Sequence, residues 1–212
     1  TGRNDALSRS TDDVISAAEA TTDLAAYAGR RVLVTGGAGG IGRALVDVFQ
    51  NAGYRVIATD QVELPNDLTC DCYVQADLAR FVEDETYAES IAAKLRESIA
   101  ARQPHALINN AAIQILGGAD SLTRTDWHKT LNVNLVAPFL LTQTFLPELE
   151  HARGAIVNIS SIHARLTKAN FVAYATSKAA LSGMTRALAV DLGPRVRVNA
   201  IEPAAIETEM LK

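Results

Sequence analysis

Cysteine is scarce in this 212-residue chain, and its scarcity excludes several classes of protein. The two cysteines, Cys70 and Cys72, are too few for the disulfide framework of a small secreted domain. With no histidine nearby they do not suit a zinc site, and their spacing is not the CxxC of a redox pair. We expect two ordinary thiols on one face of a strand, in a protein of a reducing, cytoplasmic compartment.

An excess of basic charge is also missing. Lysine and arginine number 20 against 24 aspartate and glutamate residues, which gives a net charge of -4. This balance argues against nucleic acid as a main partner, because phosphate contacts need clustered basic side chains. No apolar run is long enough for a membrane-spanning helix and no signal peptide is visible, so we expect no membrane partner.

Apolar residues make up 48% of the chain and charged residues 21%, which is typical of a globular protein. The length suffices for one α/β domain with a substantial core. From residue 31 onward, short apolar runs alternate with amphipathic stretches. This pattern predicts strands at about 31–35, 54–59, 72–76, 105–109, 155–159 and 195–201, and helices at about 41–52, 81–101, 120–152 (two helices or one bent helix) and 173–192.

Strands that alternate with helices imply parallel pairing and right-handed crossovers. We therefore predict an α/β fold of the Rossmann type, a doubly wound parallel sheet in the order 3-2-1-4-5-6 that occupies residues 29–212. Its ligand crevice should lie at the carboxyl ends of the first and fourth strands. Residues 1–28 resemble an N-terminal extension, which is either a partly disordered arm or an arm that packs on a partner subunit.

The first predicted strand leads into a glycine-rich turn and then a helix. Two glycine templates fit the turn: Gly37, Gly39 and Gly42 satisfy GxGxxG, while TGxxxGxG is met by Thr35, Gly36, Gly40 and Gly42. A flexible turn without a ligand is the simpler alternative. The strand before and the helix after it favour a pyrophosphate site, because glycines allow close approach and the helix start offers free N–H groups.

Asp60 ends the second predicted strand, at the distance from the glycines expected of an acid that binds the adenosine ribose. A turn-forming aspartate is the alternative. A carboxylate about 4 Å from a 2′-phosphate charge costs roughly 4 kcal/mol at an effective dielectric constant of about 20. This penalty corresponds to about a thousandfold preference for NAD over NADP. Arg43, beside the glycine turn, could offset part of it.

Tyr174 and Lys178 lie four residues apart on a predicted helix and therefore share a face. A tyrosine serves as a base at neutral pH only if its pKa falls from about 10 to about 7, which requires about 4 kcal/mol of phenolate stabilisation. A nearby ammonium in a poorly solvated cleft is a source of that stabilisation, so we expect Lys178 to lower the pKa of Tyr174. Ser161, at the end of the fifth strand, can reach the same crevice, with Ser160 as the competing assignment.

In these features the chain resembles the short-chain dehydrogenase/reductase family, in its compact single-domain form. The similarity extends from about residue 30 to the end, and its motifs are individually weak but jointly specific. They are the glycine turn from Thr35 to Gly42, Asp77-Leu78, Asn109-Asn110-Ala111-Ala112, Val133-Asn134-Leu135, Ser161, Tyr174-xxx-Lys178, and the segment from Asn199 through Pro203 to Thr208.

The resemblance implies roles that the residues alone do not. Asn134 should complete a catalytic tetrad with Ser161, Tyr174 and Lys178 and hold a water in a proton relay. Tyr174 and Lys178 should also contact the cofactor. The remaining cofactor contacts that it implies are Thr35, Gly36, Gly40, Ile41 and Gly42 at the pyrophosphate, Asp60, Asn109 and Ala111 at the ribose, Asp77 and Leu78 at the adenine, and Pro203, Ile206 and Thr208 at the nicotinamide.

We therefore expect an NAD(H)-dependent oxidoreductase that interconverts a small secondary alcohol and a ketone, without a metal. Relatives continue into a helical lid and a seventh strand, whereas this sequence ends at Lys212, so we expect the chain to be truncated there. That ending motivates the alternative, a dinucleotide-binding regulatory or scaffold module with little catalysis. By resemblance, helices near 127–152 and 173–192 should form the interface of a homodimer or homotetramer.

Overall fold

The computed structural model describes residues 27–99 and 104–204, which form one parallel sheet flanked by helices. The predicted extension, apart from Tyr27 and Ala28, lies outside the described residues, as do Ile206 and Thr208. The strands are β1 (Arg31–Thr35), β2 (Arg55–Asp60), β3 (Cys72–Gln75), β4 (Ala106–Asn109), β5 (Ala155–Ile159) and β6 (Arg197–Ile201). The α-helices are α1 (Gly40–Asn51), α2 (Leu78–Glu83), α3 (Glu85–Ile99), α4 (Arg124–Leu131), α5 (Ala137–His151) and α6 (Val172–Leu192).

The sheet has the order β3-β2-β1-β4-β5-β6, and all of its strand pairs are parallel. The predicted fold class and strand order are therefore confirmed. β1 lies at the centre, where Val32 pairs with Val56 of β2 on one side and with Ala106 of β4 on the other. All five residues of β1 are buried, which explains why its apolar run shows no alternation.

Two apolar clusters cover the two faces of the sheet. Leu33 belongs to one cluster, whereas its neighbours Val32 and Val34 belong to the other, because successive side chains of a strand point to opposite faces. The first cluster includes Phe81, Ile91, Leu95, Phe145 and Leu149 from helices α2, α3 and α5. The second includes Val46 of α1. None of the helices within residues 27–99 and 104–204 is both long and apolar enough to cross a membrane.

The single helix predicted over 81–101 is wrong, because two helices, α2 and α3, occupy this region. Asp84 separates them with an extended backbone (φ -127°, ψ 101°), and its carboxylate accepts a hydrogen bond of 2.9 Å from the Tyr87 N–H. A side-chain acceptor at this point satisfies a free N–H at the start of α3. The apolar spacing continues through Asp84, so periodicity alone does not reveal the break.

The region predicted as two helices or one bent helix is a continuous helical run with a change of pitch. α4 passes into a π-helical turn, Asn132–Val136, and then into α5. Pro138 lies in the first turn of α5, two residues after the π-helical turn ends, and Pro147 lies inside that helix.

The expectation that Cys70 and Cys72 share one face of a strand is also wrong. β3 begins only at Cys72, so Cys70 precedes the strand and strand alternation does not apply to it. Cys72 packs against the cluster of Leu33, whereas Cys70 packs against the cluster of Val32. Asp71 between them pairs with β2, accepting a hydrogen bond of 2.8 Å from the Val56 N–H.

Candidate active site

The glycine turn after β1 is a cradle that side chains would fill. Gly36 has a φ of +66°, and a Cβ there would lie 2.7 Å from Ala111 Cα. A Cβ on Gly42 would lie 1.9 Å from the Gly36 carbonyl oxygen. Both positions therefore require glycine, and both belong to the TGxxxGxG template. At Gly39, which only the GxGxxG template uses, a Cβ would make an ordinary contact of 3.6 Å.

The start of α1 faces this cradle. Its N-cap is Gly39, which supplies no side-chain cap, and the first turn holds no acidic residue. The first N–H groups of a helix have no partner within the helix, and the dipole places partial positive charge there. The turn and the start of α1 together form a site that suits a pyrophosphate.

Thr35 and Asn110 join the carboxyl ends of β1 and β4. Thr35 Oγ1 accepts hydrogen bonds of 3.0 Å from the N–H groups of Asn110 and Ala111. In return, Asn110 Nδ2 donates to the carbonyl oxygens of Thr35 at 2.9 Å and Gly36 at 3.0 Å. These bonds fix the crevice between the two strands, as the predicted topology requires.

A cavity of about 490 Å³ extends from this crevice. Among the predicted site residues, its walls include Gly36, Gly40, Ile41, Gly42, Asp60, Asp77, Leu78, Ala111, Tyr174 and Lys178. Five other predicted residues, namely Thr35, Asn109, Asn134, Ser161 and Pro203, are not among its lining residues. Asn110, which the sequence analysis left without a role, does line the cavity.

Asn109 does not line the cavity, contrary to the role that the resemblance implies. Its side chain is 3% exposed, and Nδ2 donates a hydrogen bond of 2.8 Å to Asn158 Oδ1 in β5. Asn158 in turn donates to Thr185 Oγ1 in α6 at 2.9 Å. Asn109 is the last residue of β4, whereas Asn110 lies beyond the strand, where its side chain bonds to the glycine turn. Asn109 therefore links two strands and a helix beneath the site.

The two predicted acids at the adenosine end are held by backbone N–H groups. Asp60 accepts hydrogen bonds from Ala38 N–H at 3.1 Å and from Gln61 N–H at 2.7 Å. Asp77 caps α2, and its Oδ1 accepts from Ala79 N–H at 2.8 Å. Leu78 is buried beside it. Both carboxylates line the cavity with a fixed orientation.

Ser161, Tyr174 and Lys178 converge at the other end. Ser161 lies beside the Tyr174 phenol, and its side chain lowers the pKa of that phenol. Lys178 Nζ lies 5.8 Å from the centroid of the Tyr174 ring and donates a hydrogen bond of 2.7 Å to the Ile159 carbonyl oxygen. Ser160 has a different orientation, since its Oγ donates to the Lys178 carbonyl oxygen at 3.0 Å. Ser161, not Ser160, is therefore the serine that contacts the phenol.

The pKa of Tyr174 is raised, whereas the sequence analysis expected Lys178 to lower it. Burial raises the pKa of the phenol above its ordinary value, and the hydrogen bond with Ser161 opposes that rise only in part. Lys178 is almost fully buried, and burial lowers the pKa of its ammonium to about 8. The desolvation that strengthens electrostatic interactions here also disfavours the charged form of both groups.

Asn134 lies in the π-helical turn between α4 and α5 and is fully buried. Its Oδ1 accepts a hydrogen bond of 2.8 Å from Ile113 N–H, and its Nδ2 donates to the Ile113 carbonyl at 2.9 Å. Nδ2 also donates to Ser177 Oγ at 3.0 Å. Asn134 thus fixes the segment after β4 against α6, beside the catalytic candidates.

A polar chain that the sequence analysis missed connects this end of the site to β6. Ser160 Oγ lies 2.8 Å from Ser182 Oγ, and Ser182 donates a hydrogen bond of 2.7 Å to Glu202 Oε1. The other carboxylate oxygen of Glu202 forms an ion pair of 2.7 Å with Arg165. Ser182, four residues after Lys178 in helix α6, was a usable signal, because side chains at that spacing share a helix face.

Pro203 contributes through its backbone. Its carbonyl oxygen accepts a hydrogen bond of 2.9 Å from Ile162 N–H, directly after Ser161. His163 packs on Phe171, with ring centroids 4.5 Å apart, and meets the Tyr174 ring edge-on at 6.0 Å. These contacts hold the short 3₁₀ turn, Ile162–Ala164, over the serine.

Comparison with known proteins gives a family match over nearly the whole of this domain. A family model described as short chain dehydrogenase matches residues 30–212. The chain is 38% identical over 193 residues to Protein FixR of Bradyrhizobium diazoefficiens, an alignment that covers 85% of this chain and 68% of that protein. It is 34% identical over 193 residues to the L-xylulose reductase of Mesocricetus auratus, an alignment that covers 86% of this chain and 74% of that protein.

Solved structures agree with this match. A 4-hydroxyisoleucine dehydrogenase complexed with NADH superimposes with a TM-score of 0.74 at 31% sequence identity, covering 86% of this chain and 78% of that one. Other similar structures contain NAD in one case and NADP in another. The similar structures therefore use a nicotinamide dinucleotide, in both its phosphorylated and its unphosphorylated forms.

Proposed function

The chain belongs to the short-chain dehydrogenase family of oxidoreductases, and from that premise we propose that it interconverts a small secondary alcohol and a ketone by NAD(H)-dependent hydride transfer. The observation that carries the proposal is the position of Tyr174 and Lys178 in the wall of the same cavity as the glycine turn. A dinucleotide-binding module without catalysis has no need of a tyrosine, a serine and a buried lysine at one end of that cavity.

The residues of the cavity fit a nicotinamide dinucleotide. Gly36 and Gly42 leave room where a Cβ would collide, and the start of α1 offers N–H groups to the pyrophosphate. Asp60 would accept from the hydroxyls of the adenosine ribose, and Asp77 and Leu78 would hold the adenine. Tyr174 and Lys178 would meet the nicotinamide end, together with Pro203, Ile206 and Thr208.

The chemistry divides between the cofactor and the chain. When bound, the nicotinamide supplies the hydride acceptor or donor and, in its oxidised form, a positive charge beside the phenol. Tyr174 takes the hydroxyl proton of the alcohol, or returns it to the ketone oxygen. Ser161 donates a hydrogen bond to the same substrate oxygen and so positions it for the phenol.

Lys178 and Asn134 support this proton transfer. Lys178 carries its charge at neutral pH, since the pKa of about 8 lies above 7, and that charge stabilises the phenolate. Because burial raises the pKa of Tyr174, a phenolate in this site needs added positive charge, which Lys178 and the oxidised nicotinamide would supply. Asn134, fixed through both of its polar atoms, would hold the water of the proton relay.

The preference for NAD rests on Asp60. Its carboxylate is held at the adenosine end of the cavity by Ala38 and Gln61, so it cannot turn away from a 2′-phosphate without losing both hydrogen bonds. Arg43, which might have offset the charge, is engaged elsewhere, in an ion pair of 3.0 Å with Asp67. Tighter binding of NADH than of NADPH is the expected outcome of a paired fluorescence titration.

The decisive variant is Tyr174→Phe, which removes the proton-transferring oxygen and little else. We expect turnover of secondary alcohols to fall about 10²–10⁴-fold, because that is the contribution of general acid–base catalysis. The dissociation constant for NADH, measured by nicotinamide fluorescence, should change less than about threefold, since a hydroxyl contact contributes modestly to binding.

Tyr54→Phe is the matched control, because Tyr54 packs against Tyr27 and Phe49. It should keep full turnover. Retained turnover in Tyr174→Phe would refute the catalytic assignment. NADH binding by the wild type without turnover of any alcohol or ketone in a broad panel would favour the regulatory or scaffold module.

A further inference from the structure

Arg43 is a cation next to the adenosine end of the cavity, and its charge is already engaged. It is the fourth residue of α1, directly after the glycine turn. Its Nε donates a hydrogen bond of 2.8 Å to the Ala38 carbonyl oxygen, and its Nη1 forms the 3.0 Å ion pair with Asp67. The side chain is therefore held at two points, one on the glycine turn and one on the loop after β2.

The contacts of Arg43 lead directly to Asp60. The backbone of Ala38, whose carbonyl accepts from Arg43, donates its N–H to Asp60 at 3.1 Å. Ala38 and Asp60 both line the cavity. The four residues Asp60, Ala38, Arg43 and Asp67 thus form one connected set, in which a carboxylate faces the ribose and a guanidinium is held by a second carboxylate behind it.

The loop that bears Asp67 is fixed by β3. Tyr73 donates from its hydroxyl to the Val62 carbonyl oxygen at 2.7 Å, and Gln75 Nε2 donates to the Gln61 carbonyl oxygen at 3.0 Å. The pKa of Tyr73 is raised to about 12, first by burial and then by the charge of Asp60, while Arg43 opposes the rise. The phenol of Tyr73 therefore lies in the field of both charges.

Arginine is the side chain best suited to a phosphate, because its planar guanidinium offers several N–H donors and always carries a charge. Nicotinamide dinucleotides with and without the 2′-phosphate differ at the ribose that Asp60 faces. We propose that Asp67 is a positioning residue for cofactor choice: by holding Arg43, it keeps this cation from a 2′-phosphate and so reinforces the preference for NAD set by Asp60. The inference rests on the proposed function of the site.

The test is a set of NADH and NADPH titrations of the full chain by nicotinamide fluorescence. Asp67→Asn should lower the NADPH dissociation constant about 1.5- to 5-fold relative to that for NADH, a range set by the modest strength of exposed ion pairs. The gain should disappear in the double variant Asp67→Asn with Arg43→Met. Asp67→Glu, which keeps the carboxylate, should restore the ratio of the wild type.

Glu63→Gln is the matched control, because Glu63 is an exposed acid of the same loop and forms no ion pair within the described residues. Its ratio of NADPH to NADH affinity should stay near that of the wild type. Three outcomes would overturn the role of Asp67 while leaving the proposed oxidoreductase intact. They are an unchanged ratio of NADPH to NADH affinity in Asp67→Asn, an equal gain in NADPH affinity in Glu63→Gln, and a gain that persists when Arg43→Met is added. Failure of the wild type to bind either dinucleotide would overturn both.

Discussion

At the scale of single residues, Lys178 shows how burial prepares a group for chemistry at a cost in stability. Its side chain is 2% exposed, and the ammonium has the Ile159 carbonyl as a partner, which only partly replaces water. The pKa of about 8 in the folded chain lies below the ordinary 10.5, so folding favours the neutral amine. At neutral pH the Lys178 ammonium, which would stabilise the phenolate, therefore keeps its proton although burial favours the neutral amine.

A pH dependence of stability follows from that pKa. Below pH 8 the lysine is charged in both the folded and the unfolded chain, and the folded chain bears the full desolvation penalty of about 3 kcal/mol. Between pH 8 and 10.5 the folded chain releases its proton first, so the penalty declines and is absent above 10.5. The folded chain therefore loses stability as the pH falls from 10.5 to 8, and below pH 8 the loss is complete.

Lys178→Met removes this titration. We expect the difference in unfolding free energy between Lys178→Met and the wild type to change by about 3 kcal/mol between pH 7 and pH 10.5, in the direction that favours the wild type at high pH. Urea denaturation at a series of pH values measures it. Lys168→Met, at an exposed lysine, is the control, and a difference that is constant with pH would contradict the assigned burial effect.

The residue scale is also where prediction from sequence was least complete. Motif register selects Ser161 and Tyr174, which the structure brings into contact, but it does not give the direction of the Tyr174 pKa, which depends on burial from distant elements. Adjacent positions such as Asn109 and Asn110 differ in role because the first ends β4 and the second lies beyond it, and the resemblance alone does not resolve that difference. The contact between Arg43 and Asp67 joins residues of a helix and an irregular loop, for which no periodicity exists.

At the scale of elements, the π-helical turn that carries Asn134 is the feature on which the site most depends. Asn134 satisfies the N–H and the carbonyl of Ile113 as well as Ser177, all of which lie in or beside the buried core of the site. Truncation would leave the N–H and the carbonyl of Ile113 without these hydrogen bonds, whereas Ser177 would keep the one that it donates to the Tyr174 carbonyl oxygen. Each unsatisfied buried group costs about 1–3 kcal/mol.

Asn134→Ala should accordingly lower the free energy of unfolding by about 2–4 kcal/mol and reduce kcat. Asn132→Ala is a close control, because Asn132 lies in the same turn but bonds only to Glu83 among the described residues, near the surface. Its cost should stay below about 1 kcal/mol. Chemical denaturation and steady-state kinetics measure the two effects, and equal costs in both variants would contradict the role given to Asn134.

The existence and the order of the elements could be read from the sequence, because buried parallel strands give continuous apolar runs and glycine or proline marks several of their ends. The boundaries between neighbouring helices could not be read from the sequence. The break at Asp84 depends on one side-chain cap within a continuing apolar pattern. The π-helical turn depends on hydrogen bonds from Asn134 to a segment 21 residues away, which helical periodicity does not encode.

At the scale of the whole molecule, oligomerisation is a further expectation. We propose that the chain forms a homodimer or homotetramer through the helices α4, α5 and α6, as its family resemblance implies. Phe139 on α5 is 42% exposed, and Val172 on α6 is 41% exposed. Exposed apolar side chains on these helices fit a surface that a second copy covers, although single ones are common on any protein.

Multi-angle light scattering should therefore give two or four times the monomer mass of 22.6 kDa. Phe139→Glu should shift the distribution toward the monomer, because it places a charge in a surface that becomes apolar and dry on assembly. Val48→Glu is the control, since Val48 is 64% exposed but lies on α1. A monomer in the wild type, or an equal shift in both variants, would refute the proposed interface.

The bonds between Thr35 and Asn110 have a consequence for how the molecule is made. They join residues 75 positions apart, and the described part of the intervening chain holds β2, β3, β4 and three helices. A growing chain that ends before β4 can form the glycine turn but not the wall opposite it, and closing so long a loop is a slow step in folding. We therefore expect a refolding chain to bind a dinucleotide only after the two halves of the sheet have docked, so the onset of cofactor binding would report that docking.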